Sequence, residues 1–398
     1  MIFDIKKQAR RVASYFGSEK EGRGLTLVRV TDKSELKEFV QFNLDLYKDN
    51  PNHVPDLIGD ELKSLSRESN PAFAFSEADL FMVKRGGEVV GRIAGIINHR
   101  ANKKWKQNRA RFGWVDFIDD DEVVDLLFDT VEAWARERGC DEIHGPMGFT
   151  DLDKEGMLIE GFDQMGTMIT IYNYPYYPKQ LARRGYEKDI DWLEYKIYIP
   201  KIVPEKHARL CQIVQDRYGV RLLKFEERDG LMRYGRAIFE LINEAYAPLY
   251  SVSELTDDQI EYYIKQYLPM VNLDFVNLVV TNDDEVVGFG ITLPSIVKAL
   301  KKANGRLFPT GFIHILKALK SKQPEVVELL LIGVKPEYQN KGITALIFED
   351  LIKVMHRYQV KYAESNPELE TNLSVMLQWN YFKKVHHKRR RAFYKKLV

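Results

Sequence analysis

A polypeptide that repeats its own pattern at an interval of about half its length is constrained to fold as two copies of one unit. This 398-residue sequence does so at a spacing of 197–199 residues. The stretch DLFMVKRGGEVVGRIAGIIN at 79–98 runs parallel to VNLVVTNDDEVVGFGITLPS at 276–295, with EVVG at 88–91 and again at 285–288. Each reads as two apolar strands around a polar turn, Gly86-Gly87 in one and Asn282-Asp283-Asp284 in the other, which is a hairpin signal. Near the end of each copy an Asn-led helical segment meets an aromatic, basic strand. Asn173 and Asn372 lie 199 residues apart, and so do Tyr195-Lys196 and Tyr394-Lys395. Two matches at one offset point to duplication rather than chance.

Each copy reads as strand, helices, hairpin, strand, helix, strand, helix, strand. In the first these are Leu25–Val30, a helix from Lys33 to Lys48, the 79–98 hairpin, Arg111–Phe117, a helix in DDDEVVDLLFDTVEAWARERG, the strand Glu142–His144, a long loop, a helix over Lys179–Arg184 and a last strand. The acidic start of the long helix suits its dipole, and Gly139 stops it. The expected fold class is α/β in the mixed α+β sense: two tandem domains, each a mixed central sheet flanked by helices. The expected division is a basic amphipathic helix at 1–24, domains at 25–200 and 218–398, and a linker at 201–217 punctuated by Pro200 and Pro204.

An apolar fraction of 45% with net charge +1 describes a soluble globular chain whose overall charge favours no nucleic acid. Cys140 and Cys211 have neither metal-like nor redox spacing. No apolar run reaches the roughly 18 residues of a spanning helix, and charges at Asp4, Lys6, Lys7, Arg10 and Arg11 fall where a signal peptide needs an apolar stretch. The cytoplasm is the expected compartment.

The second copy adds GVKPEYQNKGITALIFEDLI at 333–352. The apolar strand Val326–Ile332 precedes it, and Ile343, Leu346, Ile347, Leu351 and Ile352 give the helical period after it. The loop Gln339-Asn340-Lys341-Gly342 thus leads a strand into a helix N-terminus. Free N–H groups and the helix dipole there favour an anion, Gly342 permits close approach, and Lys341 adds a charge. The loop reads as a pyrophosphate cradle.

These residues resemble the acyl-CoA-binding motif of the GNAT acyltransferase superfamily, normally Gln/Arg-x-x-Gly-x-Gly/Ala after a strand and Val-x-Pro. Gln339 and Gly342 match; Thr344 departs, standing where the family prefers Gly or Ala, with Ala345 one place later. The resemblance implies a GNAT fold over roughly 218–398, with acetyl-CoA or a longer acyl-CoA as co-substrate and no metal. It implies that Ile332, Gly333 and Val334 pair with the pantetheine arm, while Gln339, Asn340, Lys341, Gly342, Ile343 and Thr344 hold the pyrophosphate. The family's usual thiolate-protonating Tyr falls on Trp379, which has no proton to transfer at ordinary pH, so Tyr381 is the candidate substitute, and equally a core aromatic of the last helix. Glu328 is the candidate base through water, and equally a strand carboxylate facing solvent. Glu364 and Asn366 are expected on the same cleft.

The first copy has no Gln-x-x-Gly loop. VDFIDDDEVVDLLF puts three aspartates where the pyrophosphate would sit, and like charges repel it. Over most of 35–197 it resembles the N-terminal part of a little-understood bacterial GNAT-like family, through LYKDNPNHVPDL, NPAF, VGRIAGIIN, GPMGFTDLDKEGMLIEGFD and YNYPYY. Asp151, Asp153, Glu155 and Asp163 resemble a calcium loop in composition only, and their spacing fits none.

Between hairpin and cradle strand, SIVKALKKANGRLFPTGFIHILKALKSKQP at 295–324 carries Lys298, Lys301, Lys302, Arg306, Lys317, Lys320 and Lys322 and no acid. Apolar spacing there suggests two short amphipathic helices. In the N-terminal segment Ile2, Ile5, Ala9, Val12 and Phe16 share a face. Such helices suit an anionic membrane surface, or simply pack on the protein with solvated lysines. The basic C-terminal KKVHHKRRRAFYKKLV reads as the last strand more readily than as a nucleic-acid site, and the adjacent His386 and His387 would face opposite ways.

The resemblance implies transfer of an acyl group to a small-molecule or lipid amine. Bacterial ceramide synthases are similar in kind, which brings N-acylation of a long-chain base into view. The alternatives are an aminoacyl-tRNA-dependent transferase, which also pairs two GNAT-like folds, and a non-catalytic acyl-CoA sensor.

Overall fold

The structure, a computed structural model, describes residues 24–201 and 205–397. The expected N-terminal helix therefore lies outside the described residues. In chain order the strands are β1 Leu25–Arg29, β2 Ser76–Arg85, β3 Glu88–Asn98, β4 Arg109–Phe117, β5 Glu142–Gly145, β6 Met157–Glu160 and β7 Glu187–Tyr198 in the first copy. The second holds β8 Val220–Leu223, β9 Val276–Thr281, β10 Val286–Pro294, β11 Val326–Val334, β12 Tyr362–Ser365, β13 Glu368–Leu369 and β14 Lys383–Lys396. The two repeated EVVG motifs fall on the hairpins: β2 pairs antiparallel with β3, and β9 with β10.

The sheets of the two copies are fused. Across the molecule the strand order is β1-β2-β3-β4-β5-β14-β7-β12-β11-β10-β9-β8. Within each copy the fourth and fifth strands run parallel, β4 with β5 and β11 with β12. The next neighbour, however, comes from the other copy. β14 lies antiparallel to β5, with Tyr394 opposite His144, and β7 lies antiparallel to β12, with Ala363 opposite Ile197. At the centre β7 and β14 pair with each other from Lys383↔Tyr198 to Tyr394↔Glu187. The last strand of each copy is thus exchanged, and an approximate two-fold relates the halves.

This centre carries charge. Lys388 on β14 is fully buried between Glu194 Oε2 at 2.9 Å and Glu364 Oε1 at 3.1 Å, while Arg390 Nε reaches Glu194 Oε1 at 2.5 Å. Burial pushes the Glu194 carboxyl up, but Arg390 and Lys388 outweigh it and hold it at about 2. Arg389 and Arg391 both pair with Asp191, and Lys395 with Glu132. Five of the run's eight basic residues, Lys388, Arg389, Arg390, Arg391 and Lys395, are therefore matched by carboxylates.

Apolar faces of the helices cover the sheet. The Asp121–Glu137 helix buries Val123, Leu127, Phe128 and Val131 on the first half. Ile343–Arg357 buries Ile343, Leu346, Ile347, Leu351 and Ile352 on the second, the positions its sequence period picked out. Gly288 and Gly290 of β10 let it sit close, since a Cβ there would meet Ile343 and Ile347 at 2.7 and 2.6 Å. Residues 201–217, expected as a linker, are helical from Glu205 to Tyr218, and this helix packs Cys211 and Val214 against Ile343 and Leu346. The insertion forms the two expected helices, Val297–Ala303 and Gly311–Leu319. Among the described residues no helix is long and apolar enough to cross a membrane.

Candidate active site

β11 is paired on both sides at its start and on one side at its end. It meets β12 only from Val326↔Tyr362 to Leu329↔Ser365, but follows β10 as far as Val334↔Gly288. Asn366 closes the seam, its N–H donating to Leu329 O at 3.2 Å and its side-chain amide to Leu330 O at 2.7 Å. A bulge opposite Ile291/Thr292 leaves Leu330 without a partner in β10 and turns the strand away there. Past Asn366 the two parallel strands have parted, and Ile332, Gly333 and Val334 line a strand edge that no other strand covers. One carbonyl on it is taken: Tyr246, at the end of the Gly235–Tyr246 helix, donates its hydroxyl to Ile332 O at 3.1 Å.

That edge runs into the cradle loop. Gln339 folds back, its amide donating to Val334 O at 3.2 Å. Asn340 and Gly342 adopt positive φ, 59° and 82°, and Gly342 is the N-cap of the Ile343–Arg357 helix with no side chain capping it. Within the first turn Ala345 N–H donates to Gly342 O at 3.0 Å, and the N–H groups of Ile343 and Thr344 stand at the positive end of the dipole. A side chain at 342 would be strained by φ and would bring a Cβ to 2.8 Å from Val214 Cγ2. The Lys341 ammonium lies over the rings of Tyr338 and Tyr218, 5.0 and 5.3 Å from their centres, which holds a cation beside the opening.

The counterpart in the first half is filled. β4 also outruns β5, whose pairing ends at Arg111↔His144. There the chain turns in and Met147 N–H donates to Phe112 O at 2.9 Å, while Gly113 leaves room for Met147 O where a Cβ would come within 2.3 Å. Farther along, Tyr177 Oη takes the N–H of Phe117 at 3.0 Å and Tyr176 Oη donates to its carbonyl at 2.7 Å. The following helix is capped by its own Asp120, which accepts from Glu122 N and Val123 N. Two helix starts descended from one pattern thus differ in kind: one is closed by a carboxylate, the other is open at glycine.

Glu328 faces into protein, not solvent as one reading of the sequence had it. It is 2% exposed, and Ser295 Oγ donates to its Oε1 at 2.6 Å, while Oε2 has no hydrogen-bond partner. Burial pushes it up to about 7; the Ser295 bond and the Met168 backbone N–H oppose this and the neighbouring Glu364 carboxylate adds to it. A carboxyl with that value exchanges protons at neutral pH. Glu364 lies beside it in the strand register, with Lys388 Nζ at 3.1 Å and His387 Nε2 at 3.2 Å. Burial drives His387 down to about 3, so it is neutral. Glu364 and Asn366, expected on the cleft, lie at this end of β12, where their side chains are taken by Lys388 and by Leu330 O.

Sequence reasoning missed what covers Glu328. The first-half segment Met165–Ile171 is fastened by two charged groups at the centre of the molecule, Lys388 donating to Met165 O at 3.2 Å and Arg390 to Ile171 O, and its Met168 backbone lies close enough to Glu328 to lower that carboxyl. Leu152 and Met168 pack with Leu330 and Leu331 on the second half's core. Asp151 lies close enough to Tyr246 to raise its hydroxyl further. The first half thus walls the cleft beside β11. Nothing in its residue pattern announces this, since no periodicity encodes a loop's neighbour.

Tyr381 ends the one-turn helix Trp379–Tyr381, and its side chain is outside the described residues. Trp379 is a core residue, 3% exposed, and donates Nε1–H to Glu368 Oε1 at 2.5 Å. Burial, opposed by that bond, pushes Glu368 up to about 8.

The comparisons with known proteins bear on the fold. No protein-family model matches the sequence. It is 28% identical over 352 residues to the protein YghO of Escherichia coli K12, covering 86% of this chain and 88% of that one. It is 26% identical over 320 residues to a bacterial ceramide synthase of Caulobacter vibrioides, covering 79% and 82%. Among solved structures, a tandem GNAT protein from the clavulanic acid biosynthesis pathway superposes with a TM-score of 0.53 at 14% identity, over 94% of this chain and 99% of that one. At that identity the likeness is one of fold.

Proposed function

We propose that this chain, which has the tandem GNAT fold of the N-acyltransferase superfamily, transfers an acyl group from acyl-CoA to an amine and holds CoA in its second half. The observation that carries the reading is the uncovered edge of β11 running into a helix start left uncapped at Gly342, where the first half's equivalent is filled by Tyr176, Tyr177 and Asp120.

In this reading the N–H groups at Gly342–Thr344, with Lys341 nearby, receive the pyrophosphate, and backbone groups of Ile332–Val334 pair with the pantetheine arm. Tyr246 holds the Ile332 carbonyl and so fixes that edge. Glu328, ionised above about pH 7, takes a proton from the ammonium of the acceptor through water. The freed amine attacks the thioester carbonyl, the new C–N bond forms, the C–S bond breaks, and the thiolate takes a proton. Tyr381 is the proposed donor; Glu368, which holds a proton up to about pH 8, is the other acid in the same segment.

The acceptor class follows from the relative named ceramide synthase: a long-chain amine, with the first-half segment Met165–Ile171 as one wall of its site. Calorimetric titration with CoA, acetyl-CoA and palmitoyl-CoA, followed by thiol release in the presence of a sphingoid base, tests the whole. One-site binding abolished by Gly342→Asp, with thiol released, supports it. Binding without thiol release for any amine makes the chain a sensor, for which the buried Trp379 at the usual acid position already argues. No binding moves the tRNA-dependent reading forward.

A further inference from the structure

The helical hairpin between β10 and β11 exposes apolar side chains on its outward face. Val297–Ala303 turns Val297, Ala299, Leu300 and Ala303 inward, and Gly311–Leu319 turns Ile315 and Leu319 inward. A surface helix with its core face satisfied carries polar residues outside. Here the outside carries Leu307 at 40% exposure, Phe308 at 72%, Ile313 at 52% and Leu316 at 48%. Phe308 meets Phe312 at a tilt, ring centres 5.6 Å apart, so the two rings form an apolar ridge at the tip.

The same segment is rich in cations. Lys301 is committed to the fold, donating to the carbonyls of Pro51 and His53, and Lys298 pairs with Glu325. Lys302, Arg306, Lys317, Lys320 and Lys322 are exposed and have no ion-pair partner among the described residues. Four exposed apolar side chains and five unpaired cations within residues 302–322 match the two layers of an anionic lipid leaflet, hydrocarbon below and phosphate above it. A leaflet offers acidic groups at any orientation, which a protein partner would have to place one by one.

The hairpin is firmly set in both halves. Gly305 O accepts from Ile58 N–H at 2.9 Å, and a Cβ at Gly305 would strike Leu44. Ser295, the hydroxyl partner of Glu328, is the residue joining β10 to the hairpin. A surface that seats the hairpin therefore lies against the segment that supports Glu328.

We infer that the Leu307–Leu316 ridge and its lysines and Arg306 form a docking surface for anionic lipid bilayers. The inference is independent of the reaction. The test is sedimentation of the full chain with vesicles of phosphatidylcholine containing an equal share of phosphatidylglycerol, against phosphatidylcholine alone. Binding to the anionic vesicles is expected to be at least tenfold tighter and to weaken as salt is raised from about 0.1 to 0.5 M, where screening shortens the reach of the lysines. The triple variant Phe308→Ser, Ile313→Ser, Leu316→Ser and the charge variant Lys302→Glu, Lys317→Glu, Lys320→Glu should each lose that binding at least tenfold with unchanged circular dichroism. The control Lys103→Glu, Lys106→Glu on the opposite half should bind as the parent does. A parent chain that stays in the supernatant, or a triple variant that binds undiminished, overturns the inference. So does sedimentation equilibrium showing a parent dimer that the triple variant abolishes, because a second copy then covers the ridge.

Discussion

Glu328 and Glu364 stand opposite each other in the register of two parallel strands, yet only Glu364 is given a cation, Lys388 at 3.1 Å, while Glu328 is given the Ser295 hydroxyl at 2.6 Å. Burial without a cation leaves Glu328 pushed up to about 7. A carboxyl in that range is a candidate for proton transfer.

The first prediction is a pH profile. With Glu328 as base, kcat/KM rises about tenfold per unit below pH 7 and levels above it, the value burial imposes. Glu328→Gln should lower turnover by about 10² or more and flatten that limb. The same group has a stability signature of opposite sign. Its folded value, about 7, lies above the ordinary 4.5, so the native state holds the proton longer than the unfolded chain, and stability falls as pH rises between those values. Glu328→Gln should therefore be more stable than the parent at pH 8, by on the order of 3 kcal/mol, and no different at pH 4. Denaturant titration at the two pH values reads this directly.

Gly342→Asp should remove CoA binding. It turns the open helix start into the self-capped one already present at Asp120, and adds strain at φ 82° of about 1–2 kcal/mol. Calorimetry should show no saturable heat while the melting transition remains cooperative. Unchanged CoA affinity would sink the cradle.

Lys388→Met leaves Glu364 buried without its lysine and Glu194 with Arg390 alone, and removing one partner of such a pair costs about 3–5 kcal/mol. Glu194→Gln should cost a similar amount. The two together should cost clearly less than their sum, because one network is broken once. Since β7 and β14 are shared between the halves, fluorescence of Trp114 in one half and Trp379 in the other should report a single unfolding transition in each variant.

Tyr381→Phe should slow turnover and leave CoA affinity intact if its hydroxyl serves the thiolate. Glu368→Gln is the matching test for the buried acid on Trp379. Single-turnover measurement of free thiol assigns the role to whichever variant loses the chemical step, and an unaltered rate for Tyr381→Phe retires that residue.

What the sequence made legible was local. The hairpins at EVVG, the period of the helix after Gly342 and the loop before it are written in consecutive residues, and the structure has them in place. The burial of Lys388 and Arg390 was not legible. Alternate residues of a basic run read as one solvated strand face, and their partner Glu194 lies almost half the chain away. The solvent-facing reading of Glu328 failed for a related reason: strand alternation says which residues share a face, never what covers it, and the cover is the first-half segment Met165–Ile171. The exchange of last strands was hidden by the duplication itself. β7 and β14 carry one pattern, with Tyr195-Lys196 and Tyr394-Lys395 at equivalent places, so either one satisfies β5 or β12 as far as sequence can tell.

The exchange has a consequence for cutting the chain. β5 is flanked by β14 and β12 by β7, so each half's fifth strand is held by a strand of the other half. A nick between the copies should therefore leave two pieces that stay together through purification. The buried Lys388–Glu194–Arg390 charges lie across that shared pair and clasp one piece to the other.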